Sequence, residues 1–146
     1  MEITPAREAD LQVIQQILNE NALPFSDLTT AHLSTFLVFR TDNDIIASIG
    51  TEIYKPYALL RSLAVRPAYR NKGYAAKLAE AVENVLLTKG VTFVYLLTTG
   101  ADKYFARRGY LPIDRKEVPP EISATNEFRQ LCPQTAVCMV KHLYRR

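Results

Sequence analysis

Six residues, Arg70-Asn71-Lys72-Gly73-Tyr74-Ala75, bring together two cations, a glycine and the opening of an amphipathic helix. The first N–H groups of a helix lack intrahelical acceptors, and the helix dipole is positive at that end. A glycine lets an anion approach the backbone closely, so this turn suits a phosphate or a pyrophosphate. The same residues could form an ordinary solvated loop between a strand and a helix. A Walker phosphate loop does not fit, since no Gly-Lys-Ser/Thr is present. The glycines of a GxGxxG dinucleotide turn are missing too.

Other reactive side chains lie around this turn in the chain. Glu52 stands late on an apolar stretch, on the face that Ser48 and Tyr54 share. Arg61 and Ser62 interrupt the next apolar stretch, and a charge there requires a partner or solvent. Arg61 therefore either takes an acidic group of a ligand or pairs with Glu52. Cys132 precedes Pro133 at the entrance to the last apolar stretch. It either brings a thiol to chemistry or fills space as a small apolar residue. Cys138 alternates with Ala136 and Val140 and reads as core. Two cysteines complete neither a disulfide framework nor a four-ligand zinc set, and no metal is expected. His32 has no partner visible in the sequence and reads as a surface residue.

The elements that must position these groups follow from periodicity. Glu2-Ile3-Thr4 reads as a first strand, with Thr4 then capping a helix over about residues 6–20. Leu11, Ile14, Ile17 and Leu18 recur at helical spacing along it, and Asn21 and Pro24 end it. Residues 27–33 suggest a short second helix. Residues 34–40 and 44–54 read as strands joined by the Asp42-Asn43-Asp44 turn, an antiparallel hairpin. Both faces of 44–54 are largely apolar, which calls for a sheet covered on both sides.

Tyr57 to Val65 is the strand that feeds the basic turn. The helix beyond the turn is expected to bury Leu78, Ala79, Val82, Val85 and Leu86 and to expose Lys77, Glu80, Glu83 and Asn84. Lys89-Gly90 ends it, and Val91 to Thr98 is the next strand. Strand, helix and strand at this length imply a right-handed βαβ crossover with parallel strands. Thr99 and Asp102 resemble a capping box for a helix over 101–108, which stops at Gly109. A short strand over 110–113, a helix from Pro120 or Glu121 to about Leu131, and a strand over 135–143 complete the chain. The order is β-α-α-β-β-β-α-β-α-β-α-β, an α/β (α+β) pattern.

Length and composition bound the function classes. The 146 residues suit a single domain over 1–146, and 48% hydrophobic with 23% charged residues describes a globular chain. No apolar run approaches the roughly 20 residues of a membrane span, so no membrane partner is expected. The N-terminal residues are polar where a secretory signal is apolar, which places the expected location in the cytoplasm. A net charge of +3, with Lys and Arg scattered outside the turn, Arg107-Arg108 and Arg145-Arg146, does not form a nucleic-acid stripe.

The segment LRSLAVRPAYRNKGYAAKLAEAVE resembles motif A of the GCN5-related N-acetyltransferases. That motif is an apolar strand ending in Val-x-Pro, then Arg or Gln, two residues, Gly, one residue, and Gly or Ala. Val65-Arg66-Pro67 and Arg70–Ala75 fit every position. ADKYFARRGY, residues 101–110, resembles the family's motif B, and the element order matches as well. More narrowly, ALLRSLAV, YLLTT, Phe105–Gly109, PIDR and LCPQTAVCMVKHL resemble acetyltransferase-like proteins of bacterial arsenic-resistance gene clusters.

This resemblance implies a GNAT-type acyl-CoA N-acyltransferase fold, with a mixed, mostly antiparallel sheet and helices on both faces. It implies acetyl-CoA as co-substrate, a small-molecule amine as acceptor, and a homodimer paired through C-terminal strands. The backbone of Leu63, Ala64 and Val65 would pair with the pantetheine arm, and Arg70, Asn71, Lys72, Gly73, Tyr74 and Ala75 would hold the pyrophosphate. Glu52 becomes the expected general base. Where the family often carries a tyrosine to protonate the departing thiolate, this chain has Phe105, which is assigned to packing beside the cofactor. Tyr104 sits one residue earlier, rotated by about 100° on a helix, and is the candidate acid. Cys132, near the family's usual acceptor pocket, is a third catalytic candidate, able to donate a proton, carry an acyl group or meet trivalent arsenic. Arg61 is the candidate for an acidic acceptor group such as a carboxylate or arsonate.

Acetylation of an amino acid or of a toxic amine or arsenical is the function this implies. A CoA-binding regulatory or arsenic-sensing module without catalysis is the second class. An acetyltransferase for protein N-termini or aminoacyl-tRNA is the third.

Overall fold

The computed structural model describes residues 1–144; the Arg145-Arg146 pair lies outside the described residues. Seven strands, β1 (Glu2–Pro5), β2 (Phe36–Arg40), β3 (Ile45–Tyr54), β4 (Tyr57–Val65), β5 (Phe93–Thr98), β6 (Leu111–Pro112) and β7 (Val137–His142), follow the order β1-β2-β3-β4-β5-β7-β6. β4 and β5 are parallel, and the other registered pairs are antiparallel. The helices are α1 (Leu11–Glu20), α2 (Tyr74–Thr88), α3 (Asp102–Arg107) and α4 (Pro120–Ser123). The mixed, mostly antiparallel sheet and the parallel β4–α2–β5 crossover agree with the expected fold class. No described helix is long and apolar enough to cross a membrane.

By packing, the chain divides into two compact units. The first comprises Met1–Glu52 and Arg61–Val85; the second comprises Ile53–Leu60 and the chain from Leu86 onward. In the first unit, Ile14, Ile17 and Leu18 of α1 pack with Phe36 and Val38 of β2, Ile45 of β3 and Ala64 of β4. The 3.6-residue spacing of the α1 trio places one stripe on that core. In the second, Leu59, Tyr95 and Cys138 from three strands pack with Val118, Ile122 and Phe128.

The first helix starts later than its periodicity suggests. Thr4 and Pro5 pair with Val38 and Leu37, and the Ala6 N–H donates to the Phe36 carbonyl at 3.0 Å. Strand pairing therefore takes the residues that would have capped a helix at Thr4. A 3-10 turn (Glu8–Asp10) leads into α1 instead, and the Arg7 N–H donates to Asp10 Oδ2 at 2.7 Å. Burial pushes the Asp10 carboxyl up, but the Arg40 guanidinium and the Arg7 N–H hold it below its usual range.

Four further details differ from the expected pattern. Residues 30–35 form a 3-10 helix rather than an α-helix over 27–33. On α2 the buried face carries Glu83 while Val85 is exposed, because the stripe runs 78, 79, 82, 83, 86 at helical spacing. Thr98, not Thr99, accepts the Ala101 N–H ahead of α3 at 3.0 Å. The expected helix to Leu131 breaks after α4, where Thr125 Oγ1 donates to the Ile122 carbonyl at 2.7 Å and competes with the helical ladder. A π turn over Glu127–Leu131 follows.

Gly50 is required by close approach. It stands opposite Phe36 across the β2–β3 pair, and a Cβ built there would overlap the Phe36 ring. Gly50→Ala should therefore destabilise the fold by about 1–3 kcal/mol through overpacking. Urea unfolding checks this, and Phe36→Leu in the same chain should restore part of the loss. An unchanged midpoint for Gly50→Ala would show that the ring moves aside freely.

Candidate active site

The basic turn has the shape its sequence suggests. Asn71 at φ 64° and Gly73 at φ 86° are left-handed, while the intervening Lys72 is not. Alternation of this kind turns successive N–H groups toward one concave side, and α2 begins immediately after it. Residues 70–73 are exposed, and Lys72 Nζ lies 5.8 Å from the Tyr69 ring. A Cβ on Gly73 would meet no protein atom within 4 Å, so its backbone angle, not crowding, selects glycine. The geometry fits an anion, and these residues would hold one through N–H groups and the α2 dipole.

The turn is fastened to α1. Arg70 Nη2 donates to Asn21 Oδ1 at 2.7 Å, and Arg70 Nε to the Val65 carbonyl at 3.3 Å. Asn21 Nδ2 in turn donates to the Ile17 carbonyl at 2.8 Å. Asn21 therefore closes α1 and braces the turn together. Tyr74 packs edge-on against Phe39 at 4.8 Å, which locates the start of α2 over β2. Leu63 and Val65 are half-buried, whereas Ala64 points into the first unit's core.

Upstream on β4 the strand is irregular. Ser62 has φ 60°, a left-handed angle that costs a non-glycine residue roughly 1–2 kcal/mol. Its carbonyl accepts from Ser48 Oγ at 2.9 Å and its Oγ accepts from Arg61 Nε at 3.1 Å. The Arg61 side chain is fully buried. Its guanidinium makes a two-point pair with Asp27, Nη1 to Oδ2 at 2.7 Å and Nη2 to Oδ1 at 2.8 Å. Nη1 also donates to Glu52 Oε2 at 2.8 Å. Of the two arrangements open to Arg61, the structure builds the ion pair with Glu52, and adds Asp27.

His32 belongs to the same cluster, contrary to its reading as an isolated surface residue. Its Nδ1 accepts from the Thr29 N–H at 3.1 Å, and its Nε2 lies 4.0 Å from Asp27 Oδ2. Donor atoms of Asp27, His32 and Glu52 all fall within 4.8 Å of one another. A cation there would meet a guanidinium, since Arg61 already bonds Oδ2 of Asp27 and Oε2 of Glu52. Sequence reading missed Asp27, His32 and Asn21. One signal did point to an acceptor beyond Glu52, though not to Asp27 by name: a guanidinium inside an apolar strand carries five N–H donors, more than one carboxylate can accept.

The remaining site candidates lie in the second unit. Tyr104 and Phe105 are on α3, with ring centroids 5.2 Å apart, and Phe105 packs edge-on against Tyr110 at 5.5 Å. Phe105 is buried, and its carbonyl accepts the Tyr110 N–H at 3.0 Å across Gly109, whose φ is 95°. Cys132 ends the π turn, half-buried, with Sγ donating to Glu127 Oε1 at 3.6 Å. Cys138 is buried on β7 opposite Leu97.

Burial pushes the Cys138 thiol from 9.0 up to about 11, with Arg115 opposing the shift and Asp114 adding to it. The raised value means the folded chain keeps a proton that the unfolded chain releases. The associated stability is present below pH 9.0 and is lost as the pH rises toward about 11. A thiol reagent at neutral pH should therefore label Cys132 well before Cys138, as read by peptide mass spectrometry. Equal labelling rates would show that Cys138 is not protected.

This fold, with its left-handed turn ahead of α2, is that of the acyl-CoA N-acyltransferases. A family model described as Acetyltransferase (GNAT) family matches residues 5–110. The chain belongs to that family and is an acetyl-CoA-dependent N-acetyltransferase. It is 34% identical over 119 residues to an uncharacterized N-acetyltransferase, CT2212, of Chlorobaculum tepidum, covering 77% of this chain and 73% of the relative.

Two solved structures share the fold at lower identity. N-acetylglutamate synthase from Neisseria gonorrhoeae, complexed with coenzyme A and N-acetyl-glutamate, superposes with TM-score 0.86 at 19% identity over 99% of this chain. This chain spans only 35% of that synthase chain. Rv2747 from Mycobacterium tuberculosis, in complex with CoA, superposes with TM-score 0.83 at 20% identity, covering 99% of this chain and 100% of Rv2747.

Proposed function

We propose that this enzyme acetylates the primary amine of a small amino acid-like molecule, using Arg70–Ala75 to hold the pyrophosphate of acetyl-CoA. The observation that carries the reading is the pair of left-handed residues, Asn71 and Gly73, at the exposed start of α2. The pantetheine arm runs beside Leu63, Ala64 and Val65 in this reading. The synthase structure with N-acetyl-glutamate supports an amino acid as the first acceptor to try. The likeness to the arsenic-resistance group adds amine-bearing arsenicals.

Glu52 accepts a proton from the acceptor ammonium, giving a neutral amine. Its nitrogen attacks the thioester carbonyl carbon, the C–N bond forms, and the C–S bond breaks to release CoA thiolate. A backbone N–H near Val65 polarises the carbonyl. The attacking nitrogen releases its second proton to solvent as the amide forms. Tyr104, Cys132 or solvent protonates the CoA thiolate, and a side-chain donor is then reprotonated from solvent. Glu52 gives up its proton to solvent, and Phe105 packs beside the cofactor. The protein pairs as a homodimer in the cytoplasm.

Thermal-shift measurement with acetyl-CoA, followed by free-thiol release over a panel of amino acids, other amines and arsenicals, tests this. Stabilisation by acetyl-CoA and thiol release with one acceptor class are the expected results. Absence of binding overturns the reading. Tight binding with no turnover across the panel would instead identify a CoA-binding module.

A further inference from the structure

We propose that Asp27 and Arg61 are positioning residues whose task is to hold the Glu52 carboxylate for proton transfer, rather than residues that touch the acceptor. This rests on the reading of Glu52 as the base. The side chains form a gradient of exposure, from Arg61 at 0% through Asp27 at 9% to Glu52 at 14%. Arg61 thus sits at the base of the cluster, and Glu52 is the more accessible of its two carboxylates.

Each component constrains the next. Asp27, in the loop between α1 and the 3-10 helix over 30–35, grips both Nη atoms of Arg61 in a plane. Ser62, held at its left-handed angle, takes the Nε proton. With those bonds made, the guanidinium has one orientation, and Nη1 presents a proton to Glu52 Oε2. A two-point carboxylate–guanidinium pair supplies this directional control, which a lysine ammonium does not.

Charge balance alone gives no reason for the second carboxylate, although the guanidinium N–H groups that Glu52 leaves over do need acceptors. Burying charges costs desolvation that a well-packed apolar group avoids, and one carboxylate already matches one guanidinium in charge. His32, 4.0 Å from Asp27, is a further ionisable group facing the cluster. The backbone strain stored at Ser62 also lies in this network, as strain at functional sites often does. A positioning device accounts for all of these features together.

The test is a kinetic cycle. Asp27→Asn, Arg61→Lys, Glu52→Gln and the double variant Asp27→Asn/Glu52→Gln are assayed by thiol release with the acceptor found above. Acetyl-CoA affinity is followed by calorimetry. Asp27→Asn and Arg61→Lys should each lower kcat by about tenfold or more, with acetyl-CoA affinity within about twofold of the parent. In the Glu52→Gln background, Asp27→Asn should change kcat by less than about twofold, since its effect passes through Glu52.

Unchanged kcat in Asp27→Asn overturns the proposal. So does a loss that multiplies with that of Glu52→Gln, which is how an independent structural effect would behave. If Asp27→Asn does not fold, Arg61→Lys with Glu52→Gln completes the same cycle. Absent turnover in the parent enzyme overturns both this proposal and the reading beneath it. Turnover in the parent that persists in Glu52→Gln overturns the base assignment and this proposal, but leaves the acetyl-CoA reading standing.

Discussion

Glu52→Gln should lower kcat by about 10²–10⁴-fold while acetyl-CoA binds as before. A glutamine keeps the shape and can still accept a hydrogen bond from Arg61, but it cannot take a proton from the acceptor ammonium. The fold should tolerate the change. Arg61 retains its two-point pair with Asp27 at 2.7 and 2.8 Å, so no buried charge loses all compensation. Removing Arg61 outright differs, because it leaves the Asp27 and Glu52 carboxylates without their cation, and an uncompensated buried charge costs about 3–5 kcal/mol. The measurement is kcat at saturating acetyl-CoA, set beside a thermal unfolding midpoint. Full activity in a folded Glu52→Gln enzyme would remove Glu52 as the base and leave water as the proton acceptor.

Gly73→Val should weaken acetyl-CoA binding by about tenfold or more, with much smaller change in kcat once the co-substrate saturates. At φ 86° a β-branched residue is strained, and its side chain enters space on the side where no protein atom lies within 4 Å. The strain distorts the alternation of backbone angles at 71–73, and the added methyl groups stand where the proposed pyrophosphate would approach. Gly90 provides the control. It has φ 83° at the far end of α2 and ends the helix, with the Val91 N–H donating to the Leu86 carbonyl at 3.0 Å. Gly90→Val carries comparable backbone strain, so it should lower the unfolding midpoint yet leave acetyl-CoA affinity alone. Equal loss of affinity in both variants would mean that Gly73 acts through general stability and not at the pyrophosphate.

Much of the proposed donor site was legible in order along the chain. The β4–turn–α2–β5 unit is local: an apolar strand, a glycine, a helical stripe and another apolar strand within 42 residues, Tyr57 to Thr98. Its turn geometry follows from residue type, because Asn and Gly tolerate the left-handed angles found at 71 and 73. Motif A and motif B likewise depend on short-range spacing. The family could therefore be recognised before any tertiary contact was known.

The elements that moved did so where strand pairing, a local side-chain hydrogen bond or the phase of a helical stripe overrode the expected pattern. Thr4-Pro5 had the chemistry of a helix start, but β2 offered strand hydrogen bonds and took them. Residues 120–131 had helical composition, but the Thr125 hydroxyl bonded backward and broke the run. Glu83 and Val85 exchanged places because a one-residue difference in the centre of a helical stripe reverses which flank is buried.

By itself, then, the order of residues determined the crossover, the left-handed turn ahead of α2 and the family, since each rests on bonds and angles between near neighbours. Only the tertiary structure decided the surroundings of Glu52. Asp27 lies 34 residues from Arg61, in a loop without periodicity, and His32 joins it from a 3-10 helix. Side chains that meet across such distances do so because strand pairing and core packing bring their backbones together, and no spacing rule encodes that meeting.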